Sequence, residues 1–190
     1  MAIALDLKPL GRWTDETFVA LCRANPEFNF ELTATGELII VSPVGASSGR
    51  NEFRVAGQLW DWDRDEVKGA AFSSQTMFCL SNGAKRMPDA AWIRRERWEA
   101  LELKQLDGFV PISPYFAIEV RSPSDELQPL QEKMREYIDC GVQLAWLIDP
   151  QTRRVEIYRA NGTVEILDEP EQISGENVLP EFLFSTARIF

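Results

Sequence analysis

The chain has 190 residues, of which 45% are hydrophobic, which is enough to fill one core but few for two. We therefore expect a single domain over residues 1–190. The formal net charge is -10, which argues against general affinity for nucleic acid, because that affinity comes from neutralising phosphates with Lys and Arg. The sequence contains no histidine, and this excludes Ser-His-Asp and Cys-His catalysis as well as imidazole-based zinc sites.

Cysteine usage and hydropathy indicate the compartment. Cys22, Cys79 and Cys140 are odd in number, widely spaced and flanked by apolar residues, which predicts buried free thiols in a reducing environment. No stretch approaches the ~20 apolar residues of a membrane span, and the N-terminus lacks the pattern of a secretion signal. We expect a soluble protein that does not contact membranes and is located in the cytoplasm.

Hydrophobic periodicity and turn residues predict the elements in chain order. The first half is predicted to contain a helix over 14–25, a hairpin of strands 28–32 and 37–41, a helix from Ser47 or Ser48 to about 63, and strands 72–80 and 88–93 joined at Asn82-Gly83. The second half is predicted to contain a charged helix over 94–104, a strand starting at 116, a helix from Ser122 to about Cys140, a strand over 144–148, and a hairpin of strands 155–158 and 164–167.

The order of these elements predicts the fold class. A strand, a helix and a second, almost wholly apolar strand follow one another between 116 and 148, which favours a right-handed parallel crossover. The other strands form hairpins. The sequence therefore predicts an α/β fold with a mixed central β-sheet flanked by helices.

Two carboxylates stand at the ends of predicted strands. Glu119 interrupts an apolar strand, and a buried carboxylate is costly unless it is paired or bound to a cation. Asp89 starts a second strand after Pro88, where a turn residue that bonds its own backbone is the simpler interpretation. If the strands are neighbours, both carboxylates and the carbonyl of Val120 would form an oxygen cage suited to Mg²⁺.

Three further residues are candidates, each with an alternative. Arg121 shares a strand face with Glu119, so it either neutralises that carboxylate or grips a phosphate with its planar fork. Lys133 lies on the edge of a helix, where lysine commonly snorkels to solvent, but its amine could reach back to Glu119. Glu52 either interacts with the dipole at the start of its helix or borders the core as a further acid.

The chain also has a local excess of positive charge near Asp89. Five basic residues fall between positions 85 and 97, and they could steer phosphate even on an acidic protein, or could simply belong to a solvated loop and helix start. These residues are Lys85, Arg86, Arg94, Arg95 and Arg97.

The order of these motifs resembles a known superfamily. Pro88-Asp89 followed by Glu119-Val120-Arg121 is similar to the PD and ExK signatures of the PD-(D/E)XK nucleases. The stretches LSNGAKRMPDAAW, FAIEVRSPSDELQPLQEKMREYIDCGVQLAWLIDP and VEIYRANGTVEIL resemble its bacterial Uma-type branch of candidate restriction endonucleases. The resemblance covers nearly the whole chain. It departs at Arg121, where a lysine is expected.

The resemblance implies a restriction-endonuclease-like fold and a metal-dependent endonuclease that hydrolyses DNA, with a homodimer as a possible assembly. Asp89, Glu119 and the Val120 carbonyl would hold Mg²⁺ or Mn²⁺, Glu52 would complete the site, and Lys133 would replace the missing lysine. We expect Asp89, Glu119 and Lys133 to converge in one cleft. The alternative is a catalytically silent binding or assembly module in which Glu119 and Arg121 form an internal salt bridge. A glycosidase is a weaker third idea.

Overall fold

The computed structural model describes residues 3–7, 13–102, 105 and 108–190. The helices are α1 (Asp15–Ala24), α2 (Ala46–Trp62), α3 (Arg95–Trp98) and α4 (Leu127–Asp139). The strands of the first half are β1 (Ile3–Asp6), β2 (Asn29–Leu32), β3 (Glu37–Val41), β4 (Gly69–Ser73), β5 (Phe78–Cys79), β6 (Lys85–Arg86) and β7 (Ala90–Arg94). Those of the second half are β8 (Phe116–Val120), β9 (Leu144–Asp149), β10 (Arg154–Arg159), β11 (Val164–Asp168), β12 (Gln172–Ser174) and β13 (Leu183–Ser185).

The central sheet has the strand order β11-β10-β9-β8-β7-β4. Strands β8 and β9 run parallel and are joined through α4, whereas β7 pairs antiparallel with β8 and β10 antiparallel with β9. Every residue of β8 and β9 is buried, as expected for strands covered on both faces. The predicted mixed α/β sheet with a parallel crossover is confirmed.

Side-chain alternation divides the core between the two faces of the central sheet. Ile118 and Val120 face one cluster, which also contains Val55 and Leu59 of α2. Ala117 faces the opposite cluster with Met134 and Tyr137 of α4, among others. Because successive strand residues point to opposite faces, the side chain of Glu119 lies on the α4 face.

A second sheet, of order β1-β3-β2-β6-β5, packs beside the first. It contains the predicted hairpin of β2 and β3, whose turn includes Gly36 at a φ of 85°. Residues 72 and 73 do pair with 90 and 91, but the prediction that 72–80 is one strand joined to 88–93 by a single turn is wrong, because 72–80 is divided between β4 and β5. The turn at Gly83 instead joins β5 to β6 in the second sheet, while β7 pairs with β4 in the central sheet.

Helix ends also differ from the prediction. The charged helix expected over 94–104 is the single turn α3, and positions 103 and 104 lie outside the described residues. Helix α4 begins at Leu127, because the side chain of Asp125 accepts hydrogen bonds from the amide and hydroxyl of Ser122 and holds those residues in a turn. Strands β1, β12 and β13 were not predicted.

The cysteines agree only in part with the prediction of buried free thiols. Cys22, Cys79 and Cys140 are all free, but only Cys140 is buried, while Cys22 and Cys79 are partly exposed. Across residues 3–7, 13–102, 105 and 108–190, no helix combines the length and apolar character needed to cross a membrane.

Candidate active site

Strand register places Asp89 beside Glu119. Strands β7 and β8 pair antiparallel with Ala90 opposite Ile118, and Asp89 directly precedes β7, so it lies beside the end of β8 that carries Glu119. The amide N–H of Val120 donates to Oδ2 of Asp89 at 2.6 Å. This contact fixes the half-buried Asp89 carboxylate against the end of β8.

Helix α4 fixes one oxygen of the Glu119 carboxylate. The hydroxyl of Tyr137 donates to Oε1 at 2.7 Å, and Nζ of Lys133 lies 2.9 Å from the same oxygen. Their separation of four residues puts both donors on one face of α4. No hydrogen bond from the described part of the chain reaches Oε2 of Glu119, which leaves that oxygen for a cation or water.

Lys133 bridges two buried carboxylates. Its Nζ lies 2.9 Å from Oε1 of Glu31 as well as 2.9 Å from Glu119. Glu31 also accepts a hydrogen bond from the amide of Met87 at 2.8 Å and pairs with Arg86 at 3.2 Å. Glu31 is 3% exposed, and it ties the second sheet to the Glu119 site.

The sequence analysis missed Glu31. A signal was present, since Glu31 interrupts a hydrophobic strand between the buried residues Phe30 and Leu32, as Glu119 does in β8. The signal was weak because β2 belongs to a hairpin, in which alternate residues commonly face water.

Neither alternative for the basic residues near Asp89 holds for all of them, because two are buried and four form ion pairs. Lys85 and Arg86 are buried, with ion pairs to Asp15 at 2.9 Å and to Glu136 at 2.6 Å, respectively. Arg94 and Arg95 pair with acidic side chains of their own segment, Glu96 and Glu99. These ion pairs neutralise the local positive charge, so four of the five cations are not available to attract phosphate.

Burial and mutual repulsion disfavour ionisation of three acids. Burial, followed by the charges of Glu119 and Glu52, raises the pKa of Asp89 well above its usual value. Burial also raises the pKa of Glu119, although Lys133 opposes the shift. Glu52 is half-buried, and burial together with the charge of Asp125 raises its pKa. The charge of Glu52 thus contributes to the raised pKa of Asp89, whereas the acid that acts on Glu52 itself is Asp125.

Lys133 stays protonated in this arrangement. Burial alone would lower its pKa, but the carboxylates of Glu119 and Glu31 outweigh burial and raise it. An ammonium can donate hydrogen bonds and stabilise negative charge, but it cannot accept a proton. The geometry therefore suits Lys133 to electrostatic stabilisation.

Arg121 has a different partner from the expected one. Its NH1 lies 2.8 Å from Oδ2 of Asp149, and its Nε donates to the carbonyl of Asp125 at 3.1 Å. The expected Glu119–Arg121 ion pair is therefore wrong. Arg121 follows the last residue of β8, so strict alternation no longer applies, and Lys133 is the cation beside Glu119.

The donor set fits a divalent cation held by few protein ligands. Over the described residues, which leave out 1–2, 8–12, 103–104 and 106–107, no three His, Cys, Asp or Glu side chains converge closely enough to cage a metal. Asp89 and Glu119 remain as a pair, and Mg²⁺ commonly takes one or two carboxylates plus waters. The ionisable side chains around Glu119 and Asp89 carry a formal negative charge. Two are cations, Arg86 and Lys133, and five are acids: Glu31, Glu52, Asp89, Glu119 and Glu136.

The fold is similar to that of a solved protein. The structure is similar to the crystal structure of a putative nuclease of the DUF820 group from Anabaena variabilis. The TM-score is 0.72 at 20% sequence identity, over 86% of this chain and 90% of that one. The expected restriction-endonuclease-like fold is confirmed.

The chain belongs to the Uma2 family, described as putative restriction endonucleases, whose family model matches residues 15–187. The family assignment made from the motifs is confirmed. No curated protein matches the chain.

Proposed function

We propose that the protein is a metal-dependent endonuclease that hydrolyses phosphodiester bonds of DNA. The observation that carries this proposal is the pair of partly or fully buried carboxylates, Asp89 and Glu119, held together at the end of β8, with the ammonium of Lys133 on Glu119. Membership of the Uma2 family supports the same reaction class.

In this proposal, Asp89 and Glu119 hold Mg²⁺ or Mn²⁺ through the oxygens that are not already bonded to Val120, Tyr137 or Lys133. The bound metal would lower the pKa of its water and neutralise charge on the scissile phosphate. Tyr137 and Lys133 keep the Glu119 carboxylate in one orientation. The ammonium of Lys133 would stabilise the negative charge that develops during hydrolysis.

Three finer assignments belong to the same proposal. The carbonyl of Val120 would be a further oxygen ligand, and Glu52, whose charge already acts on Asp89, would be a third acid of the site. Arg121 grips a phosphate oxygen with the part of its guanidinium that Asp149 leaves free. The proposal also includes that the protein acts in the cytoplasm and forms a homodimer.

A second candidate function has its own support. Lys133, Glu31 and Glu119 form a closed set of ion pairs, and the cations near Asp89 are neutralised by acids. Both features suit a nuclease fold kept as a binding or assembly module without catalysis. Metal binding distinguishes the two, because only the nuclease requires it.

The test is a calorimetric titration with Mg²⁺ and Mn²⁺ of the wild type, Asp89→Asn and Glu165→Gln. Glu165 is a matched control, since it is an exposed acid paired with Arg159 on the far side of the sheet. The proposal predicts binding by the wild type and the control, and loss of binding in Asp89→Asn. Absence of binding in the wild type would favour the assembly module.

A further inference from the structure

Three arginines gather on the outer side of α2. Arg50 and Arg54 are one turn apart, so their side chains lie on the same flank of the helix. The guanidinium of Arg54 donates to the backbone carbonyl of Arg188, near the end of the chain. Arg50 and Arg188 are exposed and Arg54 is half-buried, so the three form one accessible arginine cluster.

The arginine cluster differs from most other cations of the protein in having no acidic partner. In the part of the chain that the structure describes, ten Lys and Arg side chains form ion pairs, but no carboxylate pairs with Arg50, Arg54 or Arg188. Burial and then the charges of Arg50 and Arg188 lower the pKa of Arg54, as expected when like charges are held together.

Such a cluster is unfavourable by itself. Like charges one helical turn apart destabilise a helix. The chain carries 30 acidic residues, yet none of the ion pairs among the described residues neutralises these three arginines. A bound polyanion would remove the repulsion, and guanidinium groups bind phosphate through two parallel hydrogen bonds.

The position of the arginine cluster relates it to the acid pair. Glu52 lies two residues from both Arg50 and Arg54, and two helical steps of ~100° put it on the opposite flank of α2, towards Asp89. The cluster is thus about one helix diameter, ~10 Å, from the acid side of the helix. This distance corresponds to the axial rise of about three base pairs of DNA, at ~3.4 Å each.

We propose that Arg50, Arg54 and Arg188 form a subsite for the phosphodiester backbone of DNA, outside the place of hydrolysis. The proposal rests on the proposed function for its choice of DNA as the polyanion. The cations around Asp89 are neutralised by ion pairs, so the subsite supplies the positive surface that they cannot. It would hold a DNA strand across α2, beside Glu52 and Asp89.

The test is fluorescence anisotropy of a labelled DNA duplex, with chelator present, as a function of salt. The triple variant Arg50→Ala, Arg54→Ala, Arg188→Ala should bind about tenfold or more weakly at low salt. Its plot of log affinity against log salt should be shallower by up to about 2.7, since each phosphate contact contributes about 0.9. The matched control is a triple alanine variant of three dispersed, exposed arginines: Arg23, Arg135 and Arg154.

The control has the same net charge as the cluster variant, so it separates a local subsite from general electrostatics. Retention of near wild-type affinity by the control supports the subsite. An equal loss in both variants, an unchanged affinity in the cluster variant, or no binding by the wild type would each overturn it. Because chelator is present, binding without any later cleavage would refute the proposed function and leave the subsite intact.

The exposed face of α2 also carries two aromatic side chains, Phe53 at 79% and Trp60 at 56% exposure, which could suit a second copy of the chain. Light scattering of the cluster variant and of Phe53→Ser distinguishes this use. A dimer that dissociates in both variants, with DNA affinity unchanged, would assign the face to self-association and overturn the subsite.

Discussion

Replacing Glu31 by Gln should weaken the fold by about 2–4 kcal/mol while keeping its shape. Glu31 is buried and accepts from Lys133 at 2.9 Å, Arg86 at 3.2 Å and the amide of Met87 at 2.8 Å. Removing one partner of a fully buried ion pair costs about 3–5 kcal/mol. The cost is reduced here because Lys133 keeps Glu119, Arg86 keeps Glu136, and the amide oxygen of Gln can still accept.

The pH dependence gives this prediction a sharper form. Burial would raise the pKa of Glu31, but Lys133 and Arg86 outweigh it and hold the pKa below its usual value. A group whose pKa is lowered by folding stabilises the protein above its unfolded pKa, about 4.3 for Glu, and this stabilisation is lost as pH falls through the folded pKa. The deficit of Glu31→Gln should therefore be complete at neutral pH and shrink below about pH 4.

Urea denaturation of the wild type, Glu31→Gln and the exposed control Glu165→Gln measures the deficit at several pH values. The control should change stability by less than about 0.5 kcal/mol. A deficit for Glu31→Gln as small as the control's, or one that is the same at pH 7 and at pH 3.5, would refute the reasoning. If Glu31 positions Lys133, Glu31→Gln should also lower any nuclease activity, and Glu31→Asp, which keeps the carboxylate, should retain part of it.

Three other substitutions test the site. Asp89→Asn should stabilise the metal-free protein at neutral pH, because a carboxyl whose pKa is raised by folding destabilises the fold increasingly as pH rises above its unfolded pKa of about 3.9. Thermal unfolding that shows no gain at pH 7, or a gain that persists at pH 4, contradicts this. Arg121→Lys can keep only one of two contacts, to Asp149 or to the Asp125 carbonyl, so the free energy of unfolding should fall by about 1 kcal/mol. If activity is lost without a matching fall in melting temperature, the role of Arg121 in binding phosphate is favoured. Tyr137→Phe removes the hydroxyl that donates to Oε1 of Glu119 at 2.7 Å, and it should lower the free energy of unfolding in urea by about 1–2 kcal/mol. An unchanged free energy of unfolding would contradict the assigned hydrogen bond.

Local patterns predicted the parts of the fold that depend on neighbours in sequence. The apolar β8 and β9 segments, the helix between them and the turn glycines at 141 and 162 all follow from periodicity and backbone preference. Alternation along β8 likewise predicted that Ile118 and Val120 face away from Glu119.

Long-range partners could not be predicted in the same way. Glu31 and Lys133 are 102 positions apart, and only the packing of the second sheet against α4 brings them together. Lys85 looked like a loop cation but is buried against Asp15 of α1. The segment 72–80 alternates like one strand, yet β4 and β5 pair in different sheets, because hydrogen-bond partners distant in sequence decide the pairing.

Cleavage of supercoiled plasmid tests the central claim most directly. With Mg²⁺ or Mn²⁺ at low salt, the wild type and the control Glu165→Gln should nick or linearise the plasmid. Chelator or Glu119→Gln should abolish cleavage, because the metal loses a ligand and its place beside Lys133. Cleavage that survives Glu119→Gln, or no cleavage by a wild type that also binds no metal, would contradict the account.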